Sequence, residues 1–370
     1  MNFEKIKKQR LDLEKSMLCE KAAYSDASKG RMKPEHDEKH DFRTAYQKDR
    51  DRIIHSAAFR RLKDKSQVFV SIFSSYFRTR LTHSLEVSQI SRTVARALNL
   101  NEDLTEAIAL GHDLGHAPFG HVGERVLNRK FDGEFRHSVQ SLRVVDLLEK
   151  KGIGLNLTSE VREGILKHSK PPKNIFDFVD ENFKDYNTLE GQIVKICDSV
   201  AYINHDIDDA VRAKLLITED LPKEPIKVLG DTHAKRINTM VRDIITASGD
   251  LEKIQMSEGI LRSTNKIRDY LYENLYNMVD LSDEIYEVIE ILETLYDFYI
   301  ENPEKMGEGY LKIFKDFSTS RKVTDFIAGM TDTSVIKKYL KVTGWLGKSP
   351  PKSFENRLRS WIGLEWPQEM

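Results

Sequence analysis

The segment Gly111-His112-Asp113-Leu114-Gly115-His116-Ala117-Pro118-Phe119-Gly120-His121 closes an apolar helix and turns it into a tight loop. The helix feeding it is expected to start at an Asn101 cap, with Glu102 and Asp103 in a first turn where carboxylates complement the helix dipole. Gly115, Pro118 and Gly120 forbid a regular helix beyond it, so three histidines and an aspartate crowd one place. For an isolated segment the plainer alternative is a polar helix end with hydrogen-bonded histidines. A His-Asp pair says little by itself, because this chain has four, at 36–37, 40–41, 112–113 and 205–206. Density says more: five of the eleven histidines (His83, His112, His116, His121 and His137) fall within 55 residues, beside several carboxylates.

Outward from this segment the apolar residues recur at three- and four-residue spacing, as in Leu104, Ala107, Ile108, Gly111 and in Ile193, Ile196, Val200, Ile203. That period predicts an all-α chain. The exception is the β-branched and aromatic run Gln67 to Phe73, expected to form one arm of a small β-hairpin before a helix starting near Thr82. Residues 1–45 are highly charged and predict a peripheral arm, with Lys5 to Arg10 on an exposed helix and His36 to Asp41 solvated rather than metal-binding. A core of residues 46–217 is interrupted after Lys170-Pro171-Pro172-Lys173 by a loop-rich insertion at 171–187. The prolines of Leu221 to Pro225 mark a C-terminal helical region, 218–370, with four or five amphipathic helices running to about Gly344. Tyr270, Tyr272, Tyr276, Phe298 and Tyr299 recur at helical spacing and are assigned to core or a subunit interface.

Composition narrows the class further. The 370 residues carry 58 Lys+Arg against 59 Asp+Glu, with 39% hydrophobic and 32% charged residues, which describes a globular chain without a general nucleic-acid footprint. Cys19 and Cys197 have no partners at metal-ligand spacing, so a zinc ribbon and a disulfide framework are both excluded. Met1 to Lys8 lacks the apolar run of a signal peptide, and no stretch approaches the roughly 18 apolar residues of a membrane span, so a cytoplasmic protein is expected.

A metal site needs ligands from outside the central segment. His83 and Asp198 each lie on an otherwise well-patterned helix. With His112 and Asp113 they make a set of two His and two Asp, suited to Mn²⁺, Fe²⁺, Ni²⁺ or Mg²⁺ with positions open to water and a phosphate oxygen. Spacing alone leaves their convergence open.

Seven stretches in order, Arg50 to Phe69, Thr79 to Val87, Ala109 to Glu124, Gln140 to Arg143, Glu163 to His168, Asp198 to Asp209 and Ala328 to Asp332, resemble the HD-domain deoxynucleoside triphosphate triphosphohydrolases. The resemblance is strongest to the bacterial dGTPase-like proteins. It implies an HD-domain helical fold with metal ligands His83, His112, Asp113 and Asp198. It also implies His121 beside the α-phosphate as general acid/base with Glu124 orienting it, and an i,i+3 pair on a helix starting near Phe119 places those two side chains together. His116, in the same catalytic group, and His137 resemble the family's additional phosphate-contacting histidines, although Arg136 and Ser138 replace the usual flanks of the second. Arg80 resembles a phosphate-binding arginine, a role suited to a guanidinium fork.

Asp198, Tyr202 and Asp206 follow at intervals of four, on one helix face. By the resemblance this stripe runs from metal to deoxyribose, with Tyr202 against the sugar and Asp206 and Gln67 at its 3′-hydroxyl; a helix cap or surface polar residue is the alternative for Gln67 and Asp206. The implied activity is hydrolysis of dNTPs to deoxynucleoside and inorganic tripolyphosphate, with dGTP a candidate preferred substrate. A divalent ion, an activating nucleotide at a second site and a homo-oligomer, commonly a hexamer, are implied with it. The rival readings are another HD hydrolase, acting on a guanosine tetraphosphate or a nucleoside monophosphate, and a catalytically silent dNTP sensor or single-strand nucleic-acid binder.

Overall fold

The computed structural model describes residues 3–35, 41–68, 77–169, 188–277 and 283–345. In chain order its principal helices are α1 (Phe3–Met17), α2 (Ala45–Ile54), α3 (Ala57–Arg61), α4 (Arg80–Ala97), α5 (Glu102–Gly111), α6 (Gly120–Lys130), α7 (His137–Arg143), α8 (Ser159–Lys167) and α9 (Leu189–Arg212). They continue as α10 (Lys223–Leu229), α11 (His233–Ala247), α12 (Glu258–Leu271), α13 (Asp283–Glu301), α14 (Glu308–Ile313), α15 (Thr319–Ala328) and α16 (Asp332–Trp345). The fold is all-α. Among the described residues the β structure amounts to two isolated antiparallel bridges, Arg31 with Thr158 and Ser66 with Thr79. Most of the expected hairpin arm, the insertion at 171–187, most of the His36 to Asp41 run and the tail beyond Trp345 lie outside the described residues.

Helix α5 sits at the centre, and its sequence says why. Asn101 caps it, its side chain accepting a hydrogen bond from Leu104 N at 3.1 Å, and from Leu104 to Gly111 every residue but Glu106 is buried. A helix apolar on nearly all sides must be enclosed, and α2, α4, α8 and α9 pack around it. Where α5 crosses α8, each helix presents a glycine to the other's isoleucine. A Cβ on Gly111 would lie 2.6 Å from Ile165 Cδ1, and one on Gly164 would lie 2.5 Å from Ile108 Cδ1. Helix α4 starts from a Thr79 capping box and buries His83, Val87, Ile90 and Val94 on one face.

Buried apolar residues form two clusters. The first runs from Ala22 to Leu275 and joins α2, α4, α5, α8 and α9 to α10, α11 and α12 through Leu229, Met240, Ile244, Leu261, Ile267 and Leu271. The second joins α6 to α13, α15 and α16, with Phe119, Val122, Val126 and Leu127 packed among Val288, Leu292, Ile327 and Ile336. Helices after the proline-rich segment therefore contribute to both, and the helix that begins at Gly120 belongs with the C-terminal ones. Between Lys223 and Trp345 the described residues hold seven helices, not four or five. The short α10 and α14 do not show in the apolar period because each borders a glycine at positive φ, Gly230 (+120°) and Gly307 (+99°), which interrupts it.

The charged N-terminal segment is less peripheral than its composition suggests. Helix α1 has no buried residue, as the basic run predicts. Residues 19–35, however, are tied to the core: Asn101 Nδ2 donates to Ala23 O at 2.8 Å, Ala23 N donates to Glu190 at 3.0 Å, and Arg31 pairs with the fully buried Asp49. Their charges are matched by buried partners far away in sequence, which composition cannot register. No helix among the described residues is long and apolar enough to cross a membrane.

Candidate metal centre and phosphate site

Three helices deliver the expected ligands to one place. His83 lies in the first turn of α4, His112 and Asp113 directly follow α5, and Asp198 lies on α9. His83 Nε2 is 3.1 Å from Asp198 Oδ1, and His112 Nε2 is 3.4 Å from Asp113 Oδ2. His83, His112 and Asp113 each offer one ligand atom within 4.8 Å of the others. His112 Nδ1–H donates to Ala109 O at 2.6 Å, which leaves Nε2 as the free nitrogen; it is buried and without a hydrogen-bond partner. A backbone carbonyl behind a free inward nitrogen is how ligating histidines are held. Two carboxylates facing two buried imidazoles also demand positive charge: burial disfavours the His112 cation, yet Asp113 and Asp198 outweigh it and push the imidazole up to about 9. The donor set therefore fits a divalent ion, with His83, His112, Asp113 and Asp198 as the residues to hold it.

The loop after Asp113 is shaped by contacts that tolerate no side chain. A Cβ on Gly115 would stand 2.1 Å from Ser141 N, and one on Gly123 would stand 1.9 Å from Pro118 O. Ser141 then braces the turn, its hydroxyl donating to His112 O at 2.7 Å while accepting from Gly115 N at 2.9 Å. At the far end Phe119 and Gly120 both adopt left-handed backbone, φ +58° and +60°. For Phe119 that costs roughly 1–2 kcal/mol. The cost is offset by burial of its ring and by a 2.8 Å hydrogen bond from its N–H to Asp332 Oδ1.

Asp332 and Lys65 form a clasp under this loop that local sequence does not reveal. Asp332, fully buried, also accepts from Ser66 N at 2.8 Å and Ser66 Oγ at 2.5 Å. Burial pushes its carboxyl up to about 6 against those bonds. Lys65, equally enclosed, donates to His116 O at 2.6 Å and Ala328 O at 2.8 Å, and burial pulls its ammonium down to about 7. The start of α16 and the end of α15 are thereby fastened to the loop carrying His116 and His121.

Around the loop a second set of side chains gathers. Arg80, 2% exposed, donates through Nη1 to Asp113 at 2.6 Å, while its Nε and Nη2 are buried without partners. His116 stacks on His137 with ring centroids 4.7 Å apart. Burial, with Arg80 and His137 adding to it, holds His116 well below the usual imidazole range, so it is neutral. Glu124 accepts from His137 N–H at 2.8 Å and lies 2.9 and 3.0 Å from His137 Nδ1. Its contact with His121 Nδ1 is longer, 3.5 Å. Burial works against ionisation of Glu124, but His137, His121 and His116 outweigh it and hold the carboxyl far below its ordinary value. The expected partner of His121 is thus shared, and it binds His137 more closely. His121 itself stands at the rim of the site, its side chain 66% exposed at the start of α6.

The stripe on α9 continues from Asp198 through Tyr202 to Asp206, which is buried and accepts from Tyr276 Oη at 2.5 Å. Burial pushes Asp206 up to about 7. Gln67 borders the loop, since its carbonyl would lie 2.5 Å from a Cβ on Gly120, and its buried Oε1 has no partner. Three further residues join the site, although sequence spacing assigns them no role in it. His168, at the end of α8, places Nε2 3.1 Å from His137 Nε2; His205 packs edge-on to His83 at 5.8 Å; and Tyr276 touches Asp206 from outside the helical stripe.

Comparison with known proteins adds two family matches: an HD domain over residues 80–203 and a phosphohydrolase-associated domain over residues 254–341. A deoxyguanosinetriphosphate triphosphohydrolase-like protein of Caldanaerobacter subterraneus subsp. tengcongensis is 50% identical over 338 residues, spanning 91% of this chain and 96% of that one. Proteins of the same name from Desulfatibacillum aliphaticivorans and Clostridium perfringens are 43% and 45% identical, each over 92% of this chain and over 97% and 95% of their own lengths. Among solved structures, a hypothetical protein from Aquifex aeolicus aligns over 85% of this chain and 71% of its own with a TM-score of 0.43 and 18% identity.

Proposed function

Because this chain belongs to the HD-domain family of deoxyguanosinetriphosphate triphosphohydrolase-like proteins, we propose that it hydrolyses deoxynucleoside triphosphates, dGTP among them, to deoxynucleoside and inorganic tripolyphosphate. The observation that carries this reading is Arg80. One of its nitrogens is anchored on Asp113 and two are left buried without partners, with Nη2 beside Gly120 in the loop that carries His116, donors of a guanidinium fork left over for an anion. A divalent ion held by His83, His112, Asp113 and Asp198 would supply charge for a phosphate oxygen and acidify a water.

The chain's own groups do the rest. Arg80 and the neutral His116 hold phosphate oxygens, and burial of both strengthens those bonds relative to water. His121, free at the rim and steered by Glu124, transfers the proton that the attacking water loses or the departing 5′-oxygen gains. Tyr202 lies against the sugar, and Asp206 accepts the 3′-hydroxyl proton. The test is to incubate the purified protein with each dNTP and NTP, singly and mixed, with Mn²⁺ or Mg²⁺, and to separate the products. Turnover of dGTP well above GTP is expected, and Tyr202→Ala narrows that ratio; equal turnover of the two by the unaltered protein would remove the sugar assignment.

Asp206 makes this recognition pH-dependent. Burial pushes it up to about 7, so above that pH it accepts the hydroxyl as a carboxylate, and below it, protonated, it offers a weaker, neutral acceptor. KM for a dNTP should therefore rise by up to about tenfold per pH unit as pH falls below that value. Asp206→Asn should give a uniformly high KM without that slope. A slope unchanged in the variant would assign it to another group.

A further inference from the structure

We propose that Tyr276 is a positioning residue of the sugar site, fixing Asp206 so that one carboxylate oxygen is held ready for the 3′-hydroxyl of the nucleotide. The inference rests on the function proposed above and adds to it a residue from the other half of the chain, since Tyr276 falls in the phosphohydrolase-associated match over residues 254–341 and outside the HD match. Helix α12 delivers it. Past Leu271 that helix runs on into a wide, π-type turn over Tyr272–Tyr276, an irregularity that concentrates at functional sites.

Tyr276 Oη donates to Asp206 Oδ2 at 2.5 Å, the short length of a bond to an ionised acceptor. Among the described residues the other oxygen, Oδ1, accepts no hydrogen bond. A polar side chain only 2% exposed usually has its acceptors served, so Oδ1 is the one left for a ligand hydroxyl. The tyrosine keeps the carboxylate from turning. It is itself held, its ring meeting Tyr272 edge to face at 5.0 Å and packing against the larger apolar cluster. Around Asp206 stand Arg78 and Arg80 at the entry to α4, which favour the carboxylate, and Asp209, which opposes it, with Tyr202 and Tyr272 nearby. Burial works against the carboxylate, and the Tyr276 hydrogen bond is the largest influence in its favour. Removing that hydroxyl therefore raises the pH at which Asp206 ionises.

KM and kcat for dGTP and 2′,3′-dideoxyGTP, measured on the full chain with Mn²⁺ across the pH range in which Asp206 titrates, test the assignment. The unaltered protein should favour dGTP by about 10- to 100-fold in kcat/KM, because the dideoxynucleotide leaves Oδ1 unpaired in a buried place. Tyr276→Phe keeps the ring and should keep kcat at saturating dGTP. It should raise KM for dGTP about tenfold, leave KM for the dideoxynucleotide unchanged, and move upward the pH below which KM for dGTP climbs. In an Asp206→Asn background the same substitution should change the ratio no further. A merely structural role would raise both KM values together and leave the inflection in place. That result, or equal turnover of the two nucleotides by the unaltered protein, would overturn the assignment while leaving dNTP hydrolysis standing; turnover of neither would overturn both.

Discussion

His83→Ala and Asp198→Asn should remove metal and hydrolysis together, whereas His121→Ala should keep the metal and lose at least about 10²-fold in kcat, the lower range for general acid/base catalysis. The contrast follows from position. His83 is 1% exposed and its Nε2 is 3.1 Å from Asp198, so truncation removes a buried donor and leaves the Asp198 carboxylate without the imidazole it faces. His121 stands at the rim, and its nearest charged neighbour is Glu124 at 3.5 Å, so its loss leaves the donor set intact. Elemental analysis alongside rate measurements separates the two classes. Full metal content in His83→Ala would mean that the ligand set is wrong.

Asp332→Ala should be the most destabilising substitution outside the metal ligands. It strands Ser66 N, Ser66 Oγ and Phe119 N, three donors that converge on one carboxylate, and removes one of the two carboxylates that act against Arg61 and Arg80 at Lys65. Breaking a buried polar cluster on one side costs roughly 3–5 kcal/mol. The left-handed Phe119–Gly120 step would lose its anchor, so His121 should be displaced even under conditions where the chain remains folded. Urea unfolding followed by circular dichroism measures the first effect and residual kcat the second. A midpoint unchanged from that of the parent would show that the clasp carries no stability.

Much of this site was legible because its chemistry lies on regular elements. The Asn101 cap, the apolar period of α5 and the glycines and proline after Asp113 place the His-Asp pair at a helix end from local rules alone. The four-residue spacing of Asp198, Tyr202 and Asp206 needs nothing beyond helix geometry. What escaped depends on contacts between distant segments. Lys65 sits in the charged run Arg60 to Lys65, yet its partners are carbonyls 51 and 263 residues away. Spacing pairs Glu124 with His121, but the start of α7 brings His137 closer. His168 lies in a stretch that carried the resemblance, and its facing of His137 emerges only from the packing of α7 on α8.

In the proposed reaction water attacks the α-phosphorus and displaces the nucleoside 5′-oxygen. Hydrolysis of dGTP in ¹⁸O-water, with products separated and weighed by mass spectrometry, tests it directly. The expected result is deoxyguanosine without label and one ¹⁸O in inorganic tripolyphosphate, because the bond that breaks joins phosphorus to the 5′-oxygen. Label in the nucleoside would mean attack at carbon, and release of dGMP with pyrophosphate would mean a different leaving group; either would contradict the account.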